Sequence, residues 1–63
     1  MSHYEVITRG EDGERVRTTV TEERVRELLA RTSHKVDEAM RVLNENPGGQ
    51  MNCTQGDYVT YVA

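Results

Sequence analysis

A chain of 63 residues is one domain at most, and folding at that length buries only about 60% of the surface the unfolded chain exposes, so the core must be small. With 35% apolar residues, three Tyr and no Phe or Trp, few large side chains are available to fill it. A net charge of -3 and a pI near 5.2 exclude a strongly basic nucleic-acid binder and fall short of an acidic mimic of DNA.

The opening MSHYEVITRG has no apolar signal-peptide core, and no segment approaches the roughly 20 apolar residues that cross a bilayer, so a soluble, unexported protein is expected. Residues His3 to Val20 then read as a hairpin, with HYEVITR and ERVRTTV flanking GEDG. Glu11-Asp12-Gly13 suits a three-residue loop in which Gly13 takes the left-handed conformation, and that loop places Arg9 opposite Arg15. Strand alternation then puts Tyr4, Val6, Thr8, Val16, Thr18 and Val20 on one face, the candidate core face. Glu5, Ile7, Arg9, Arg15, Arg17 and Thr19 share the other.

Thr21-Glu22-Glu23 is a helix start, a capping hydroxyl followed by two carboxylates that complement the helix dipole. Asn46-Pro47-Gly48-Gly49 is a stop. Between them, Val25, Leu28, Leu29, Thr32, Val36, Ala39, Met40 and Leu43 fall on one stripe about 120° wide. The stripe keeps its phase through Thr32-Ser33, and no inserted glycine turn or second capping box marks a break. One continuous helix from about Glu22 to Glu45 is therefore expected, whereas a corner at Ser33 would suggest a helix-turn-helix and DNA.

Such a helix spans about 36 Å against about 23 Å for seven-residue strands, so its apolar seam would outrun the hairpin. A homodimer would cover the surplus through Leu29, Val36, Met40 and Leu43, with Arg31 and Lys35 on the rim of this docking helix. After the glycines, Asp57 to Val62 alternates as a strand, and Gln55-Gly56 could turn it back on a short strand at Met51 to Thr54. The fold class is α+β: a hairpin, one long amphipathic helix and one or two C-terminal strands (ββαβ or ββαββ), the helix packed on one face of a small antiparallel sheet in a single domain.

Catalytic, cofactor and metal sites are not expected. His34, Asp37 and Glu38 share a helical face, but a lone His with two acids reads as solvated surface with helix-supporting pairs such as Asp37 with Arg41 and Glu27 with Arg31. The single Cys53 cannot form an internal disulfide, has no base or cation in its neighbours Asn52 and Thr54, and favours a reducing, cytoplasmic setting. Pro47-Gly48-Gly49 follows a helix and lacks Lys-Ser/Thr, so it is not a phosphate loop.

Two basic groups remain. Arg9, Arg15 and Arg17 gather with Ile7, and with either Tyr58 or Tyr61, on the outer hairpin face. Arginine beside aromatic and aliphatic groups is the composition of a protein-binding hot spot and of a nucleic-acid-binding ribbon; the plainer reading is a solvated face partly neutralised by Glu5 and Glu14. Arg24, Arg31 and Lys35 flank the helical stripe, where cations commonly snorkel over a packed edge. The reading that follows is a non-enzymatic protein-protein interaction module, an inhibitor, adaptor or accessory factor similar in size to phage-encoded modulators of host machinery, with another protein as partner. The alternative is a small nucleic-acid-binding regulator using the arginine-bearing hairpin.

Overall fold

The computed structural model describes residues 2–54 and 56–63. The chain forms β1 (His3–Arg9), β2 (Arg15–Val20), α1 (Glu22–Ala30), α2 (Val36–Glu45), β3 (Gln50–Thr54) and β4 (Asp57–Val62). The strands make one antiparallel sheet in the order β2-β1-β4-β3, with both helices on one face, so the architecture is α+β. Two C-terminal strands are present, and β4 lies between β1 and β3.

The first hairpin has the register its loop dictates. Arg9 lies opposite Arg15 and Tyr4 opposite Val20. Gly10 and Glu14 close the loop through the Gly10 N–H, which donates to the Glu14 carbonyl at 2.7 Å, and the Gly13 N–H donates to the Gly10 carbonyl at 3.0 Å. Gly13 has φ of 80°, the left-handed conformation this loop needs and which a Cβ would strain. In the second hairpin Gly56 also has positive φ, 85°, while Gln55, the other expected turn residue, lies outside the described residues.

The expected continuous helix is broken. α1 begins as anticipated, Thr21 Oγ1 accepting from the Arg24 N–H at 3.2 Å, but it ends at Ala30. The Thr32 and Ser33 amides both donate to the Leu29 carbonyl, at 3.1 and 2.9 Å, and close the helix. Ser33 Oγ then accepts from the Lys35 N–H at 3.1 Å, and Lys35 leaves helical geometry with φ -120° and ψ 69°. Thr, Ser and His are weak helix formers, and hydroxyls this close to the backbone compete with helical hydrogen bonds.

Burial decides the matter. A straight rod would carry Met40 and Leu43 beyond the strands, whereas the bend returns them to the sheet at 2% and 3% exposure. There they join Val25, Leu28, Leu29, Cys53 and Val59, with Tyr4, Val6, Val20, Val36, Ala39, Met51 and Tyr61 around them. Both halves of the stripe face one sheet, so the sequence keeps its phase although the axis turns. The length argument for a second copy falls with the single helix it rested on.

The helices lie over β1, β3 and β4 and leave β2 largely uncovered. Its first five residues are exposed, including Val16 on the helix side at 41%. No helix among the described residues is long and apolar enough to cross a membrane.

Candidate functional site

With both helices on one side, the other face of the sheet is bare. Cross-strand partners share a face, so the register places Glu5, Ile7 and Arg9 of β1 beside Thr19, Arg17 and Arg15 of β2, and beside Thr60 and Tyr58 of β4. Tyr58 therefore points outward, at 38% exposure, while Tyr61 turns inward and packs on Tyr4 with ring centroids 5.2 Å apart. The choice between these two tyrosines depends on the β1–β4 register, which alternation within β4 alone does not supply.

The expected group of Ile7, Arg9, Arg15 and Arg17 is brought together on this face, but its members differ. Ile7 is only 3% exposed, lying in register between Arg17 and Tyr58, so it is a floor rather than a contact residue. Arg17 Nη1 donates to Glu5 Oε1 at 3.0 Å. His3 Nε2 bonds the other Glu5 oxygen at 3.0 Å. Hydrogen bonds from His3 and then Arg17 hold the Glu5 carboxyl below its ordinary range.

Arg9 and Arg15 are exposed, directly opposite each other, and make no ion pair among the described residues. With Ile7, Thr8, Gly56 and Tyr58 they line a cavity of about 40 Å³. Gly56 and Tyr58 come from the second hairpin. Sequence reasoning missed Gly56 as part of this cleft, because only the placement of β4 next to β1 brings its turn there.

Of the residues expected on a docking helix, Leu29, Met40 and Leu43 are buried in the chain's own core and are unavailable for self-association in this fold. Val36 is half-buried against that core, while Arg31 and Lys35 are exposed in the turn between the helices. The surface pairs also differ from expectation. Glu27 accepts from Arg24 rather than Arg31, at 3.0 Å, and Asp37 accepts from Arg26 rather than Arg41, at 2.7 Å.

A break in the helix would favour DNA only if the second helix offered a basic surface to a groove. The buried side of α2 is Met40 and Leu43, and its exposed side carries Asp37, Glu38 and Glu45 against one cation, Arg41. That surface repels phosphate.

Among the described residues no three His, Cys, Asp or Glu side chains are placed to hold a metal ion. Cys53 is buried beneath the helices, and desolvation pushes its thiol pKa up, away from nucleophilic thiolate. The larger grooves are open surface: one of about 510 Å³ lies beside His3, Tyr4, Glu22 and Asn44, and one of about 460 Å³ runs past Ser33, Lys35, Ala39, Val42 and Met51. Comparison of the chain with protein-family models, with curated proteins and with solved structures finds no match.

Proposed function

We propose that the chain is a protein-binding module, a small inhibitor, adaptor or accessory factor that acts by stoichiometric contact through its bare sheet face. The observation that carries this reading is the Arg9–Arg15 pair: two exposed arginines at directly opposed strand positions, lining one cavity without an internal counter-ion among the described residues, beside an exposed Tyr58 and above a buried Ile7. Arg and Tyr are the residue types that dominate binding energy at protein interfaces. Like charges placed directly across a ladder destabilise a sheet, and departures from local rules concentrate at functional sites.

A nucleic-acid partner fits less well. The net charge is -3, the hairpin loop beside the pair carries Glu11, Asp12 and Glu14, and the outer side of α2 is acidic. The test is affinity capture from an extract of the native source, comparing wild type with Arg9→Glu/Arg15→Glu, each with and without nuclease. A protein retained by wild type, lost by the double variant and indifferent to nuclease supports the reading. Equal retention by both would remove the sheet face from it. Capture abolished by nuclease, with direct binding of duplex that weakens steeply with salt, would replace it with the nucleic-acid alternative.

A further inference from the structure

We infer that the cleft between Arg9 and Arg15 is a receptor for a single carboxylate, an Asp or Glu side chain of a partner protein whose neighbouring apolar residue packs against Tyr58. This inference rests on the protein-binding reading above and names its chemistry. Its basis is the combination of charge, size and lining at one place. Arg9 and Arg15 are cross-strand partners that line one cavity, and a carboxylate accepting from both would offset the cost of like charges placed across a ladder. The cavity of about 40 Å³ has room for a group of that size, not for a track of phosphates. Among the described residues its remaining lining is Ile7, Thr8, Tyr58 and the turn residue Gly56, a mostly apolar and aromatic surface in which a charge-assisted hydrogen bond is less screened than in water.

Charge around the cleft selects the class of anion. A polyanion extending beyond it meets Glu11, Asp12 and Glu14 of the adjoining loop, whereas one carboxylate can sit between the arginines alone. Arg17 is not part of the receptor because Glu5 already occupies it at 3.0 Å. The site also has a signature that an ordinary surface patch lacks. If the pair is kept for a ligand at the expense of the free protein, a substitution that supplies an internal counter-ion raises stability while it removes binding.

The experiment is a nuclear magnetic resonance titration of the whole chain with the blocked tripeptide acetyl-Glu-Leu-Glu-amide, with acetyl-Gln-Leu-Gln-amide as the uncharged control and an octamer of deoxythymidine as the polyanion. The expected result is saturable shifts confined to the Arg9 and Arg15 side chains and the Gly56 and Tyr58 amides, with the acidic peptide only. Arg15→Thr should weaken that binding about tenfold, the loss of one charge-assisted contact. Arg15→Glu should abolish it while raising Tm by roughly 4 °C, since a like-charge pair becomes an opposite one.

Equal shifts with both peptides, no shifts with either, or tighter binding of the oligonucleotide would each overturn the carboxylate assignment. So would an Arg15→Glu variant that is folded yet no more stable than wild type. Failure of the peptide while captured protein still depends on Arg9 and Arg15 would sink this inference and leave the protein-binding reading standing. Capture indifferent to both arginines would sink the two together.

Discussion

The Tyr4 hydroxyl donates to Asn44 Oδ1 at 2.6 Å, joining the first strand to the last turn of α2 across 40 positions of sequence. Burial is the largest influence on Tyr4 and raises its pKa, so the phenol remains the donor through the ordinary working range. This contact ties the two ends of the fold's helix side together. Tyr4→Phe keeps the ring on Tyr61 and deletes only the hydrogen bond, and since the contact is partly solvated the expected cost is about 0.5 kcal/mol by urea denaturation. Asn44→Ala should cost the same, and the double variant no more than either alone, which a double-mutant cycle reads directly.

The bend at Ser33 is held by core burial rather than by the turn sequence. Replacing Thr32, Ser33 and His34 with Ala favours a continuous helix by roughly 1.5 kcal/mol in summed propensity. Burial of Met40 and Leu43 opposes it with about 1.5–3 kcal/mol for each side chain. The triple variant should therefore keep two helices, with little gain in helical circular dichroism and no gain in mass by light scattering. Leu43→Ala, in contrast, should destabilise by about 2–5 kcal/mol.

Thr60 sits on the outer sheet face between Glu5 and Gln50 in register, only 2% exposed, with an Oγ1 that has no hydrogen-bond partner among the described residues. A buried hydroxyl without a partner carries a desolvation penalty that a methyl of similar shape does not. Thr60→Val should thus stabilise the protein by about 1 kcal/mol, a rise in urea midpoint without a change in slope. A loss of stability would mean that the hydroxyl is satisfied in solution.

Glu5 links stability to pH in a stated direction. Its folded pKa is depressed by hydrogen bonds from His3 and Arg17, so the folded state binds its proton more weakly than the unfolded chain does. The stabilisation is fully present above the unfolded carboxylate value, roughly 4.3, and is lost as pH falls through the lower folded value. Melting curves of wild type and Glu5→Gln should differ most near neutral pH and converge at the acid end. A gap that widens on acidification would contradict the assignment.

Cys53 is buried at the centre of the core, and burial raises its pKa. Alkylation of the native protein at pH 8 should proceed at the rate of opening rather than of the chemistry, and urea should accelerate it in step with unfolding. A native rate equal to that of a free thiol would place the sulfur at the surface.

Much of this fold was legible residue by residue. The hairpin loop at Glu11-Asp12-Gly13 dictated the Arg9–Arg15 register, Thr21 and Asn46-Pro47-Gly48-Gly49 bounded the helical region, and alternation identified the C-terminal strand. The break between α1 and α2 was not legible, because two helices packed on one sheet share a phase just as one helix does. The burial of Ile7 was hidden as well: alternation assigns a face, and only the pairing of β1 with both β2 and β4 shows that long neighbours flank it on each side. Half of the candidate site lies on the first hairpin and could be read locally. Its Gly56 and Tyr58 side depends on which strand sits next to β1, a contact between the two ends of the chain.

In the sheet β2 is held by β1 alone, and only its last residue, Val20, reaches the core beneath the helices. Its amides should therefore be the first strand amides to exchange with heavy water, peeling away while the other three strands stay closed. Because Arg15 rides on that loose arm and Arg9 on the anchored one, any anion that bridges them would also act as a clasp, slowing the exchange of β2 from a distance.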